Sequence, residues 1–172
     1  MLVRLLKACV VALLAAVPAA HAATLNDAQI AHIAYTAGEL DIAAAKLALQ
    51  KSKSADVRAF AQNMVDDHTA VNQKALALLK KLNVTPEDNP TSQSLTKQAA
   101  AKQAELKQLS GAAFDKAYVA NEVAFHKTVN GALSDTLIPG AKNGELKALL
   151  ETGLKIFQGH EQHAEHLAMA LK

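Results

Sequence analysis

The chain has 172 residues, with 18 basic and 16 acidic side chains, two tyrosines, four phenylalanines, one cysteine and no tryptophan. Near neutrality and so few rings leave neither the basic stripe nor the stacking surface that nucleic-acid binding needs. A chain of this length can bury the core of a single domain without help from disulfides.

Residues 1–22, MLVRLLKACVVALLAAVPAAHA, place Arg4 and Lys7 before an apolar run from Ala8 to Val17, then Pro18 and the small residues Ala20 and Ala22. This is the layout of a secretory signal with an A-x-A cleavage site, and the run is too short to span a bilayer as an uncleaved anchor. Cys9 lies at the front of the run, which argues against lipidation. Cleavage takes the only cysteine, and it takes Arg4 and Lys7 from the 18 basic residues, leaving 16 against 16 acidic. The expected mature chain, residues 23–172, is a neutral, exported, single helical-bundle domain of the periplasm or cell envelope, with no transmembrane segment.

No stretch after the leader alternates with period two, while apolar residues recur at spacings of three and four, so the domain is all-α. The first helix is expected from Asn26, with Gln29 as capping-box partner and a seam at Ile30, Ile33, Ala37, Leu40, Ala44 and Leu47. Ser54 caps a second helix whose seam is Val57, Phe60, Met64, His68, Val71, Ala75, Leu78 and Leu82. His68 thus occupies a core step. Pro86 and Pro90 end that helix, and a polar helical stretch follows from about Ser92 to Leu109. Its reach of roughly 27 Å lets it carry the chain from one end of a bundle to the other, setting the helices on either side of it parallel.

The next helix runs from about Gly111 to Leu137, and Phe114, Tyr118, Phe125, Val129, Ala132 and Leu133 share one sector, with Glu122 inside it and His126 near its edge. IPGAKNG reads as a turn, with Asn143 capping a last helix whose seam includes Leu146, Leu150, Gly153, Phe157, His160, Ala164 and Leu167. His163 falls at the margin and His166 on the wet side. An internal echo, V-x-x-H-x-x-V-N, relates Val65, His68, Val71 and Asn72 to Val123, His126, Val129 and Asn130, each with an aromatic eight residues before its histidine. A structural echo would put His68 and His126 at equal height on parallel helices.

Residue counts along the rods put Asp41, Glu122 and His160 in one layer and His68 with His126 in another, one turn away. Carboxylates and imidazoles converging from separate helices build iron and manganese sites in bundle cores. There is no Glu-x-x-His on any helix and the acid count is low, so one ion (Fe, Mn, Zn or Cu) fits better than two. The candidate ligands are His68, Glu122, His126 and His160, with Asp41 as a fifth. The competing expectations are a polar network in which these groups satisfy one another, and a small-molecule pocket. Asp66 and Asp67 project off the seam toward solvent. No cysteine nucleophile, G-x-S-x-G or phosphate-cradling loop remains after the leader, so hydrolase chemistry is unsupported and enzymatic turnover is not expected.

GELDIAAAKLALQKSKSADVRAFAQNMVDDHTAVN, LSGAAFDKAYVANEVAFH and FQGHEQHAEHLA together resemble a bacterial exported family, domain-of-unknown-function family 4142, often labelled an outer-membrane protein. The most specific piece is F-A-x-x-M-V-x-D-H-T, here Phe60, Ala61, Met64, Val65, Asp67, His68 and Thr69. The resemblance implies a ferritin-like four-helix bundle. It sets Asp41 where the family usually has Glu, and His126 and His160 where its later histidines fall. Phe125 stands where the family often has Asp, which breaks any repeated acid-histidine pair. The resemblance carries no reaction. Nothing in the sequence makes a barrel strand. The expected fold is therefore all-α, a ferritin-like four-helix bundle with an additional crossover helix between its second and third helices. The leading function is metal-ion binding in the core. The alternative is a metal-free envelope protein acting in structure, stress tolerance or partner binding, its partner unspecified.

Overall fold

The computed structural model describes residues 24–171. The leader assigned to residues 1–22 lies outside them. Helix α1 spans Asp27–Lys51, α2 Ala55–Leu82, α3 Pro90–Gln108, α4 Gly111–Ala132 and α5 Gly144–Ala170.

The starts of α1, α2 and α5 are fixed by side chains that satisfy helix N–H groups otherwise left without partners, whereas Ser110 before α4 makes no such bond. Asn26 and Gln29 form the full capping box, each side chain accepting from the other's backbone N–H at 2.8 and 3.2 Å. Ser54 accepts from Val57 N at 3.4 Å, and Asn143 from Glu145 N and Leu146 N at 2.9 and 3.0 Å. Asn83 ends α2 in the left-handed region, φ 52°. The polar stretch starts slightly earlier than the sequence suggested, because Asn89 caps it and Pro90 supplies the first helical residue.

Helices α1 and α2 form one antiparallel pair, α4 and α5 the other, and α3 is the crossover. Glu87 N donates to Ala28 O at 3.2 Å and Lys51 Nζ to Lys107 O at 2.6 Å, so α3 runs beside α1 over its whole length. It returns the chain to the end where α1 meets α2, here called the top, and α4 therefore descends parallel to α2. At the bottom the Asp27 carboxylate accepts from Lys142 N and Asn143 N at 2.8 and 2.9 Å, tying α1 to the entry of α5.

The segment IPGAKNG departs from expectation. Helical backbone continues through a π-helical stretch, Leu133–Leu137, and a further turn, Ile138–Gly140. Pro139 has no N–H to give back to the preceding turn, and Ile138 N reaches Leu133 O five residues behind, which widens the helix.

Two apolar clusters fill the bundle. Ala45, Ala48, Phe60, Met64, Phe114 and Tyr118 pack at the top, and Ile30, Ile33, Leu79, Leu137, Leu146 and Leu150 at the bottom. A layer of buried polar side chains separates them. Among the described residues no helix is long and apolar enough to cross a membrane.

Candidate metal centre

All five expected ligands are buried: Asp41, His68, Glu122 and His126 are at most 2% exposed and His160 is 7% exposed. The helical period brings them there, since each occupies a seam position of α1, α2, α4 or α5. Glu122 and His126, one turn apart on α4, project into the same volume.

The three imidazoles form one group. Ring centroids lie 5.7 Å apart for His68 and His126, 5.3 Å for His68 and His160, and 5.4 Å for His126 and His160. A nitrogen of each lies within 4.8 Å of the others, and Asp41, Glu122 and His126 form a second such triad. His160 therefore joins the histidines and not the Asp41–Glu122 layer, a correction to the residue count along α5. Long side chains extend about a turn along a bundle axis, so residues a turn apart on neighbouring helices can share a layer.

Neighbouring groups fix the rings. His68 stacks face to face on Phe157, centroids 4.4 Å apart and planes within 5°. Its Nε2 lies 2.8 Å from Asp41 Oδ2, an ion-pair distance at which neither atom has the alignment of a hydrogen bond. His126 Nδ1 lies 3.0 Å from the Glu122 carbonyl oxygen, to which it can only donate. A neutral ring then carries its lone pair on Nε2, which is buried without a partner among the described residues. His160 Nε2 donates to Asp67 Oδ2 at 2.9 Å, leaving Nδ1 as the buried, unpartnered nitrogen. An outer carboxylate or carbonyl that sets the tautomer and frees the other nitrogen is the usual support of a metal-ligating histidine.

Burial lowers His160 to about 4 against the pull of its Asp67 hydrogen bond, and burial lowers His126 against the pull of Asp41. Both rings are thus neutral at pH 7. Burial alone would raise Asp41, but His68 first, then Glu122 and His126, together outweigh it and hold the carboxyl below the usual range. Glu122 is raised well above that range by burial and then by Asp41, so the two carboxyls divide into one that ionises readily and one that keeps its proton.

Two participants escaped the sequence reading. Asp67, taken as solvated, is half exposed but reaches across to His160. Its position beside His68 in a family motif was the available signal. Tyr118, assigned only to the apolar seam, lies one turn before Glu122, and its hydroxyl is buried without a partner among the described residues. The echo is structural. Phe60 and Tyr118 meet above the histidines at 6.3 Å, and below them Asn72 donates to Glu39 at 2.8 Å and Asn130 to Glu161 at 2.7 Å.

The model of the domain of unknown function DUF4142 matches residues 12–167. The chain belongs to this family. No curated protein matches it. The crystal structure of a DUF305 protein from Streptomyces coelicolor, described as secreted, is similar with a TM-score of 0.72 at 11% identity. The alignment covers 84% of this chain and 93% of that one, and at this identity the likeness concerns the fold alone. The family description names no reaction, so DUF4142 membership leaves the chemistry to the site itself.

Proposed function

We propose that this DUF4142 chain is exported to the periplasm or cell envelope and holds one transition-metal ion, Fe, Mn, Zn or Cu, in its core. His68, His126 and His160 are the nitrogen donors, and Asp41 and Glu122 the oxygen donors beside them. The observation that carries the reading is the set of buried imidazole nitrogens without hydrogen-bond partners, His68 Nδ1, His126 Nε2 and His160 Nδ1, with the Asp41 and Glu122 carboxyls beside them. A network of groups satisfying one another would pair these atoms. Left unpaired, each costs about 1–3 kcal/mol. A cation answers the lone pairs of imidazole and carboxylate together, and nitrogen and oxygen donors without sulfur suit all four metals. Glu122 would release its proton on coordination. The leader pattern of residues 1–22 supports export.

Elemental analysis of untagged protein purified from its own compartment tests the proposal. One metal per chain, lost in the His68→Ala/His126→Ala double variant, is expected. Metal-free wild type whose melting the double variant does not change would favour the metal-free envelope role.

A further inference from the structure

Three directions offer an ion no polar approach. Apolar side chains pack above the layer and line the cavity of about 150 Å³ below it, and on the α5 side the His160–Asp67 hydrogen bond occupies the outward ring nitrogen. The remaining side differs. A pocket of about 210 Å³ lies between α1, α3 and α4, with Asp41 and Asn121 among its lining residues and Gln98, Ala99 and Gln103 presented by α3. Asp41, itself 2% exposed, turns Oδ2 to His68 Nε2 at 2.8 Å, and Asn121 Nδ2 donates to Glu122 Oε1 at 3.4 Å. The pocket therefore ends on the carboxylate half of the candidate centre.

We infer that this pocket is the entry route for a hydrated divalent cation, with Asp41 as the carboxylate at its inner end and α3 as the cover. The inference rests on the metal reading of the core. The volume takes several water molecules together, so an ion need not shed its whole shell at the surface. Amide oxygens of Gln98, Gln103 and Asn121 can replace those waters stepwise. Lys102, the basic residue on this wall, is held by Glu105 at 2.6 Å, which offsets its charge near the mouth. Helix α3 is suited to covering a passage because Ser92 and Leu106, near its two ends, are its only buried residues. Between those anchors it presents Leu95, Gln98, Ala99, Lys102 and Gln103 to the space below.

Cobalt(II) added to metal-free full-length mature protein, followed by its visible absorption, tests the route. Ala99→Phe and Ala124→Phe place a ring in the pocket from opposite walls, and Ala100→Phe adds the same bulk one residue away, outside it. Both plugged variants should reach the wild-type end-point with loading and chelator-driven release slowed roughly tenfold or more, as a barrier to passage requires. Ala100→Phe should match wild type. Loading of either folded plugged variant at the wild-type rate would overturn the route while leaving the core site standing. Should one plugged variant fail circular-dichroism inspection, the other decides. Absence of any cobalt spectrum in wild type would overturn the metal reading and the route together.

Discussion

Above the imidazole layer the bundle is built from alanines and rings; below it, from branched aliphatics around a gap. At the top, Ala45, Ala48 and Ala61 let helices approach closely, and Phe114 stacks on Tyr118 at 6.1 Å, all fully buried. At the bottom a cavity of about 150 Å³ remains among residues such as Ile33, Leu79, Leu133 and Leu150, beside the π-helical stretch. The polar layer is thus supported firmly on one side and loosely on the other. Bulk removed from the top has nothing to collapse into its place, whereas the bottom already tolerates space.

The largest expected effect follows from that contrast. Phe60→Ala should cost about 3–5 kcal/mol in urea unfolding, and Leu146→Ala, in the looser half, nearer the lower end of the roughly 2–5 kcal/mol range for such truncations. Equal losses would mean that the two halves are packed alike. The polar layer should show itself in pH. His160 is lowered from 6.5 to about 4, so between those values the unfolded chain binds more protons than the folded one and stability falls as pH falls. His160 should contribute a loss of about 1–2 kcal/mol across that window, read as the difference between the pH profiles of metal-free wild type and His160→Asn. Glu122, displaced upward, acts in the opposite sense and destabilises the metal-free fold as pH rises above the ordinary carboxylate range.

Two glycines sharpen the comparison at the smallest scale. A Cβ on Gly38 would meet Asn72 Oδ1 at 2.5 Å, displacing the side chain that donates to Glu39, so Gly38→Ala should cost about 1–3 kcal/mol despite its better helix propensity. A Cβ on Gly153, facing the bottom half, meets Phe157 at 3.4 Å and Val71 at 3.9 Å, both ordinary contacts. Gly153→Ala should therefore gain about 0.5–1 kcal/mol from helix propensity, read as a raised midpoint.

The helices were legible because period and caps agree: Asn26, Ser54 and Asn143 all cap where the sequence placed them. The crossover was legible from the length and polarity of residues 92–109. The first helix shows where a seam read from hydrophobicity slips. Leu40 and Leu47 are only partly buried while Asp41 and Ala48 turn fully inward, because the core at that height is polar and small. The five buried candidate ligands were legible as inward positions, but their grouping was not. It depends on side-chain reach, which moved His160 to the histidines and brought Asp67 in from the surface. The path past α3 has no sequence signature, since it arises from what a crossover helix leaves uncovered.

A crystal of the mature protein soaked in manganese or iron, with diffraction measured at the metal's absorption edge, tests the central claim most directly. The account predicts one anomalous peak inside the bundle, about 2.0–2.2 Å from ring nitrogens of His68, His126 and His160, the range found for nitrogen and oxygen ligands of comparable ions. Density in which those rings are paired to one another or to water, with anomalous peaks only at His163 and His166 on the outside of α5, would contradict it.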